Sequence, residues 1–273
     1  MKRLIFAFTV AIGLLLISYT ANAMTKFPAT DFFSGPQLAL AQAIERGDLA
    51  KVRQLAPATD LNTPGRKNMT LLFFAFQDAL ERDPKQLEIM GELIKAGADP
   101  FQKVPNFGSV LGVTLNSPTA DFLRILLDAG VGPNTIIDGE SPILLEVTSP
   151  RTFDSLKLLI ACGADVNMRD SLRNTALYEA LTSRALDQID YLLDHAANPN
   201  TYNINGLSFP YAISTRINQN ASAPESITYQ KLTEIRDRII KMGVKWPPDT
   251  PEQIRARWGA NAPRRLDDSQ LPL

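Results

Sequence analysis

The sequence predicts an all-α solenoid, built from about six helix-turn-helix units that are joined by short hairpin-like fingers. The first observation is a short tag that recurs at equal intervals, at Gly97, Gly130 and Gly163, with Ala196 in the same place one period later. The second observation is that apolar residues stand at fixed distances before each tag. A constant period of about 33 residues indicates a stack of repeated units, in which each unit contacts mainly its neighbours.

Each tag is expected to follow a helix. Counting back from the Gly or Ala of the tag, positions −7, −4 and −3 are apolar in four units, and this spacing places them on one face of a helix. Gly tolerates the left-handed conformation that commonly ends a helix, so each helix is expected to stop at its tag. The apolar sets are Met90/Leu93/Ile94, Leu123/Leu126/Leu127, Leu156/Leu159/Ile160 and Ile189/Leu192/Leu193.

Another series of helices is expected to begin about twelve residues after each tag. Ser or Thr opens each of them, as an N-cap whose side chain accepts a backbone hydrogen bond. Pro142 is expected just inside its helix, where its missing N–H has no consequence. Asn-Gly and Asp-Gly pairs in the linking segments favour the tight turn of a hairpin-like finger. The openings are Thr70, Ser109, Ser141, Thr175 and Ser208, and the turns are Asn106-Phe107-Gly108, Asp138-Gly139 and Asn205-Gly206.

Helix, turn, helix and projecting finger at this spacing resemble the ankyrin repeat, over most of the chain that follows Ala23. The Thr-Pro-Leu-His opening of that family is present only in degraded form. Its closest copy is Ser141-Pro142-Ile143, and the His is absent from every copy. The resemblance implies a partner-binding face that is formed by the fingers and the first helix of each unit.

Both ends of the array depart from the repeat. We expect an N-terminal lead-in over residues 24–36, the repeat array over 37–248, and a short helix with a flexible tail over 249–273. The first unit, 37–62, lacks the Gly stop, and extra residues fall at Gln77–Lys85 and Asn218–Ser226. Arg236 replaces the apolar residue at −7 in the last unit, which suits an end cap with one solvent-exposed face. Thr250-Pro251-Glu252-Gln253 has the pattern of a capping box, which predicts a helix up to about Trp258, and the tail from Ala262 is expected to be disordered.

The segment 1–23 predicts export. Lys2 and Arg3 precede a largely apolar run, and Ala21-Asn22-Ala23 is a small-x-small cleavage site. The run is short for a bilayer span, so a signal peptide cleaved after Ala23 is favoured over a membrane anchor. Cys162 is the single cysteine, and an exported chain without an internal disulfide fits a bacterial periplasm. Cleavage would change the formal net charge from −1 to −3, which offers no basic footprint for nucleic acid.

No grouping of polar residues predicts catalysis. The sequence contains no His-Glu-x-x-His, no Gly-x-Ser-x-Gly, no phosphate loop and no dinucleotide-binding glycine pattern. His195, the single histidine, is interpreted as a residue at a helix end, and Cys162 as an inert small residue without a partner. We therefore expect a protein that is not an enzyme, with no catalytic residues, no metal site and no cofactor.

The remaining chemistry lies on the surface, where aromatic and Arg side chains dominate binding hot spots. Phe107 and Tyr202 lead the candidates, because large apolar side chains at finger tips are unfavourable in water unless they are covered. Phe74 and Tyr211 fit equally well as core residues between repeats. The candidate partner-binding residues are Phe101, Phe107, Ile136, Asp138, Arg169, Arg173, Tyr178, Tyr202 and Asn203.

Two functions fit this description, and both require a protein partner. The first is a periplasmic immunity protein that neutralises a secreted antibacterial effector, for example a phospholipase, by covering its active site. Small exported ankyrin-like proteins of bacteria with this role are similar to the chain, including its stretch Asp31–Leu38. The alternative is a housekeeping scaffold or chaperone-like partner of a periplasmic enzyme, for example in oxidative stress. Neither function requires nucleic acid or a membrane anchor after signal cleavage.

Overall fold

The computed structural model describes residues 27–258, so the predicted signal peptide and the predicted flexible tail from Ala262 lie outside the described residues. Residues 27–258 form six helix pairs and a thirteenth helix. The pairs are α1 (Gly35–Glu45) with α2 (Leu49–Leu55), α3 (Leu71–Ala79) with α4 (Pro84–Lys95), α5 (Val110–Leu115) with α6 (Asp121–Asp128), α7 (Ile143–Glu146) with α8 (Phe153–Ala161), α9 (Ala176–Thr182) with α10 (Leu186–Asp194), and α11 (Phe209–Gln219) with α12 (Ile227–Lys241); α13 is Pro251–Trp258.

Short elements connect these helices. Single 3-10 turns lie at Ala29–Asp31, Ala56–Ala58, Arg66–Asn68 and Pro150–Thr152, and one two-stranded hairpin joins β1 (Ile136–Ile137) to β2 (Ser141–Pro142). First helices pack on first helices of the next unit, as α1 does on α3, and second helices pack on second helices, as α4 does on α6. In the described part of the chain, no helix is long and apolar enough to cross a membrane.

The predicted apolar stripe forms the core. The residues at −7 and −4 are fully buried in all four regular units, and those at −3 are buried in α4 and α10 but only half-buried in α6 and α8. The last unit differs from the expected register. Helix α12 buries Leu232, Ile235 and Ile239, while Ile240 is exposed and Arg236 pairs with Asp237. The charged face of α12 therefore points outward, as expected for the end cap of a solenoid.

The tags end the second helices as predicted. Gly97, Gly130 and Gly163 have φ values of 103°, 108° and 89°, and Ala196 has a φ of 64°. After Gly97, the N–H of Ala98 donates to the carbonyl of Leu93 at 2.9 Å, and the same bond recurs after each later tag. This is the Schellman arrangement, which satisfies the last carbonyls of a helix. Ala196 adopts the same left-handed backbone with a Cβ, which is less favourable for Ala than for Gly.

Asparagine side chains form hydrogen bonds to three of the four tags, those at Gly97, Gly163 and Ala196. Asn167 donates from Nδ2 to the carbonyl of Ala196 at 3.3 Å, and its Oδ1 accepts from the N–H of Asn198 at 2.8 Å. Asn134 makes the equivalent pair of bonds to the tag at Gly163, and Asn62 makes it to the tag at Gly97. These hydrogen bonds link the ends of the second helices in neighbouring units. Phe101 takes this place after the tag at Gly97.

The openings of the first helices are partly as predicted. The hydroxyls of Thr70, Ser109 and Ser208 each accept a hydrogen bond from the N–H three residues later, at 3.0 to 3.2 Å. Thr175 stands at its N-cap, but its hydroxyl has no partner in the described part of the chain. The prediction for Ser141 and Pro142 is wrong: both belong to β2, and α7 begins at Ile143.

The hairpin-like fingers are confirmed. In the finger of β1 and β2, Ile136 pairs with Pro142, and the turn residues Asp138 and Gly139 have φ values of 52° and 71°. Two consecutive residues with positive φ form the turn that matches the twist of a hairpin. The other fingers close with single bridges, at Val104 with Gly108, Arg169 with Thr175 and Tyr202 with Ser208.

The two insertions lie at the opposite ends of the helices from the fingers. At Gln77–Lys85 the chain completes α3 and turns, and Asp83 caps α4 by accepting from the N–H groups of Lys85 and Gln86. At Asn218–Ser226 it completes α11 and turns, and Ser226 caps α12. Both insertions therefore lengthen the link within a helix pair and leave the fingers unchanged.

Candidate partner-binding surface

Three consecutive fingers present uncovered apolar side chains. They are residues 101–108, 136–142 and 169–175, and together we call them the open fingers. Phe101 is 40% exposed, Phe107 51%, Ile136 49% and Leu172 44%. In the described residues, the other large exposed apolar side chains lie toward the two ends, at Phe27, Ile227, Ile240 and Met242. A row of exposed apolar side chains on adjacent loops is a candidate partner-binding surface.

The finger that precedes the open fingers is covered by the N-terminal lead-in. The N–H of Arg66 donates to the carbonyl of Phe32 at 2.7 Å, and the ring of Phe33 meets the ring of Phe74 edge-on at 5.5 Å. The contact is so close at Gly65 that a Cβ there would lie 2.4 Å from the Phe32 carbonyl oxygen. The lead-in therefore takes the place of a preceding repeat, and Phe74 is a core residue.

The finger that follows the open fingers is covered by α13. Thr250 and Gln253 form the predicted capping box, with Gln253 Oε1 accepting from the Thr250 N–H at 2.8 Å. The ring of Trp258 packs on Tyr202 with 5.5 Å between ring centroids. A Cβ at Gly206 would lie 2.8 Å from the Pro251 carbonyl oxygen, so this finger accommodates α13 only with Gly at its tip.

Five of the predicted partner-binding residues project from the open fingers or from the helix behind them. Phe107 rests on Phe73 with ring centroids 5.6 Å apart but keeps an exposed outer face. Asp138 pairs with Lys103 across two fingers at 2.8 Å. Tyr178 is half-buried on α9, and burial raises the pKa of its hydroxyl above the usual value. Phe101 and Ile136 are exposed as described above.

The other four predicted residues serve the fingers themselves. Tyr202 is half-covered by Trp258, and Arg169 is half-buried beside it. Asn203 is only 8% exposed, because its amide donates to Asn174 Oδ1 at 3.1 Å and its Oδ1 accepts from two backbone N–H groups of its own finger. Arg173 is half-buried and holds a left-handed turn position, with φ of 65°. We leave these four residues out of the proposed surface.

Sequence reasoning missed Leu172. It stands at the tip of the third open finger, in the turn from Asp170 to Asn174, where Asp170 accepts from the N–H groups of Leu172 and Asn174. These bonds fix the turn so that the Leu172 side chain projects into solvent. An apolar residue inside an otherwise polar turn was the signal available in the sequence.

Two carboxylates lie behind the open fingers without a cation. Glu146 on α7 and Glu179 on α9 occupy the same place in successive units. No hydrogen bond or ion pair reaches either carboxylate within the described residues. Burial raises the pKa of Glu179, and the nearby carboxylates of Asp170 and Glu146 raise it further. Ionised Glu179 is therefore held in an unfavourable environment.

The two residue types most often used in catalysis and metal binding, His and Cys, occur once each and lie apart. Over residues 27–258, no group of three or more His, Cys, Asp and Glu side chains could hold a metal ion. The imidazole of His195 stacks on Tyr191 at 4.1 Å, and its Nδ1 lies 2.8 Å from the Tyr191 carbonyl oxygen. Cys162 is exposed as a free thiol beside the tag at Gly163. Both residues thus lie at helix ends, as the sequence indicates.

Comparisons with known proteins identify the fold. Neither a family model nor a curated protein matches the chain. Solved structures do match: the ankyrin repeat domain of Bcl-3 is 20% identical, with a TM-score of 0.56 over 78% of this chain and 91% of that one. An ankyrin repeat domain from Acinetobacter baumannii AYE is 21% identical, with a TM-score of 0.55 over 76% of this chain and 98% of that one. The fold is therefore an all-α ankyrin-repeat solenoid, as the constant period of the tags predicts.

Proposed function

We propose that the chain is a protein-binding module that holds its partner on the open fingers. The observation that carries this proposal is the row of exposed Phe101, Phe107, Ile136 and Leu172, between a finger covered by the lead-in and a finger covered by α13. Leu61 and Met69 of the first of these fingers are buried, and Tyr202 of the last finger is half-covered by Trp258. The open fingers are also hairpin-like, but no segment of the described residues covers their apolar side chains, and in this proposal a partner does so.

The more specific proposal is a periplasmic immunity protein for a secreted antibacterial effector. The export pattern of the segment 1–23 supports the compartment, and the architecture supports a steric mechanism. A rigid stack of units can cover the mouth of an active site without chemistry of its own. Tight protein complexes bury about 1,600 Å² in total, so the partner is expected to contact the first helices as well as the finger tips.

Site-specific crosslinking tests the binding surface. A photo-crosslinking amino acid is placed at Leu172 or Ile136. The matched control position is Ile227, which is 86% exposed at the start of α12, directly after the insertion that lies at the opposite ends of the helices from the fingers. Illumination of living cells should give a discrete adduct from positions 172 and 136 and none from 227. Equal adducts from all three positions, or none from the fingers, would contradict the proposed surface.

A protection assay tests the immunity role. Cells lacking the gene are challenged with a sister strain that delivers a periplasmic effector, and they should lose viability. Complementation with Ile227→Asp should restore protection, whereas complementation with the triple variant Phe107→Asp/Ile136→Asp/Leu172→Asp should not. If the deletion leaves sensitivity unchanged, the immunity role fails and the scaffold role in the periplasm becomes the better description.

A further inference from the structure

The chain shows what covers one of its own fingers. Helix α13 places Ile254 and Trp258 on the last finger, where both become buried. Between them in sequence, Arg255 donates from Nη1 to the carbonyl of Asn205 at 2.5 Å. A segment that fits a finger of this protein therefore combines large apolar side chains with an intervening cation. This is an observed contact within the chain, and it defines a chemistry for covering the fingers that remain open.

The last finger and the open fingers form one continuous surface. The N–H of Ile204 donates to the carbonyl of Leu172 at 3.0 Å, and the N–H of Ser171 donates to the carbonyl of Glu140. Ile136 stands two repeats before Tyr202 and makes the same bridge across its finger that Tyr202 makes across the last one. Ile136 is thus the exposed counterpart of the side chain on which Trp258 packs.

The negative charge of two carboxylates behind the open fingers also favours a cation on the partner. Glu146 and Glu179 lie on α7 and α9, one repeat apart, and Glu179 interacts electrostatically with Glu146 and with Asp170 of the third open finger. Neither carboxylate has an ion-pair partner in the described residues. Both oxygens of the nearby Asp170 are already engaged, by two backbone N–H groups and the amide of Asn174. The first helices that follow the second and third open fingers therefore carry two carboxylates that no described cation neutralises. Complementary charge at such a place improves both specificity and association rate.

Resting on the proposed partner-binding role, we infer that the partner inserts a short segment that carries an Arg or Lys between large apolar side chains. The apolar side chains cover Phe107, Ile136 and Leu172, as Ile254 and Trp258 cover the last finger. The cation lies between Glu146 and Glu179 and relieves the repulsion of the carboxylates. The partner surface is accordingly basic and apolar, and it repeats the composition of α13.

Peptide selection tests this inference without knowledge of the partner. A phage-displayed library of random dodecapeptides is selected on the purified protein, and fluorescein-labelled synthetic copies are titrated by anisotropy. Peptides whose binding is lost in Ile136→Asp/Leu172→Asp are taken as binders of the open fingers. We expect these peptides to carry Arg or Lys between aromatic or aliphatic residues. Their affinity should fall about tenfold in Glu146→Gln/Glu179→Gln at low salt and less at high salt.

The matched control is Glu81→Gln/Glu234→Gln, which removes the same charge at two exposed sites away from the fingers and should leave affinity unchanged. If finger-dependent peptides are acidic or neutral, or if they bind Glu146→Gln/Glu179→Gln with unchanged affinity, the inferred partner chemistry is overturned while the proposed surface stands. A selection that yields no peptide sensitive to Ile136→Asp/Leu172→Asp overturns the proposed surface itself.

Discussion

Removing one asparagine of the tag series should measure the coupling between neighbouring units. In Asn167→Ala, the carbonyl of Ala196 loses a bond of 3.3 Å and the N–H of Asn198 loses one of 2.8 Å. A hydrogen bond contributes about 0.5–1.5 kcal/mol net, which gives about 1–3 kcal/mol for the pair. Both bonds are exposed, so water replaces part of the loss. We expect the free energy of unfolding to fall by about 1–2 kcal/mol.

Asn200→Ala is the matched control. Asn200 ends the next tag, but within the described residues its side chain makes no bond to a further tag. Its replacement should change the free energy of unfolding by no more than about 0.5 kcal/mol, as is usual for exposed sites. Urea unfolding of both variants, followed by far-ultraviolet circular dichroism, gives the two values if the slope with denaturant stays constant. Equal effects from the two substitutions would refute the inference that the asparagine side chains couple neighbouring units.

Three further outcomes are expected. Ala196→Gly should raise the free energy of unfolding by about 1 kcal/mol, and Gly130→Val should lower it by about 1 kcal/mol or more. The reason is that both positions have a left-handed backbone, which Gly adopts more easily than other residues. Urea titrations that show no difference from the unsubstituted protein would contradict this expectation. Because the pKa of Glu179 is raised in the folded protein, its ionisation destabilises the fold as pH rises, so Glu179→Gln should raise Tm at pH 7. That gain should vanish below the unperturbed Glu value of about 4.3, and a gain that persists in thermal scans at pH 3.5 would exclude this cause. Gly206→Val should force α13 away from the last finger, because the added Cβ would lie 2.8 Å from the Pro251 carbonyl oxygen. Hydrogen exchange should then accelerate over residues 251–258 but not over the first helices. Unchanged exchange would show that the close contact at Gly206 is not needed to hold α13 in place.

Periodicity accounts for most of the fold, because a solenoid is built from local contacts that recur. The stripe at −7 and −4 and the left-handed stop at Gly97 are short-range features, and the structure shows both. Local patterns fail at Pro142, which is expected inside a helix but lies in β2. Proline fixes φ near the helical value but also accepts an extended ψ, and its partner in the finger, Ile136, lies outside any local pattern.

The surface was harder to read from sequence, because exposure depends on segments that are distant along the chain. Tyr202 is a finger aromatic like Phe107, yet Trp258, which lies beyond the whole last unit, packs on it. Leu172 lies in a turn of polar residues, and the fold leaves its side chain 44% exposed because the bonds of Asp170 fix that turn. Asn203 looked exposed and is instead shared between two fingers.

Spacing along the chain is enough to establish the number of units, their length, the stop of each second helix and the lack of the usual catalytic motifs. Helix periodicity and backbone preference act over a few residues, so these features are visible before the chain is folded. Which fingers are open depends instead on contacts between distant segments. The lead-in and α13 fold back onto the two outer fingers, held by Gly65 and Gly206 at contacts that admit no Cβ. Among the described residues, this folding leaves three fingers with exposed apolar side chains, and two carboxylates of the first helices without an ion-pair partner.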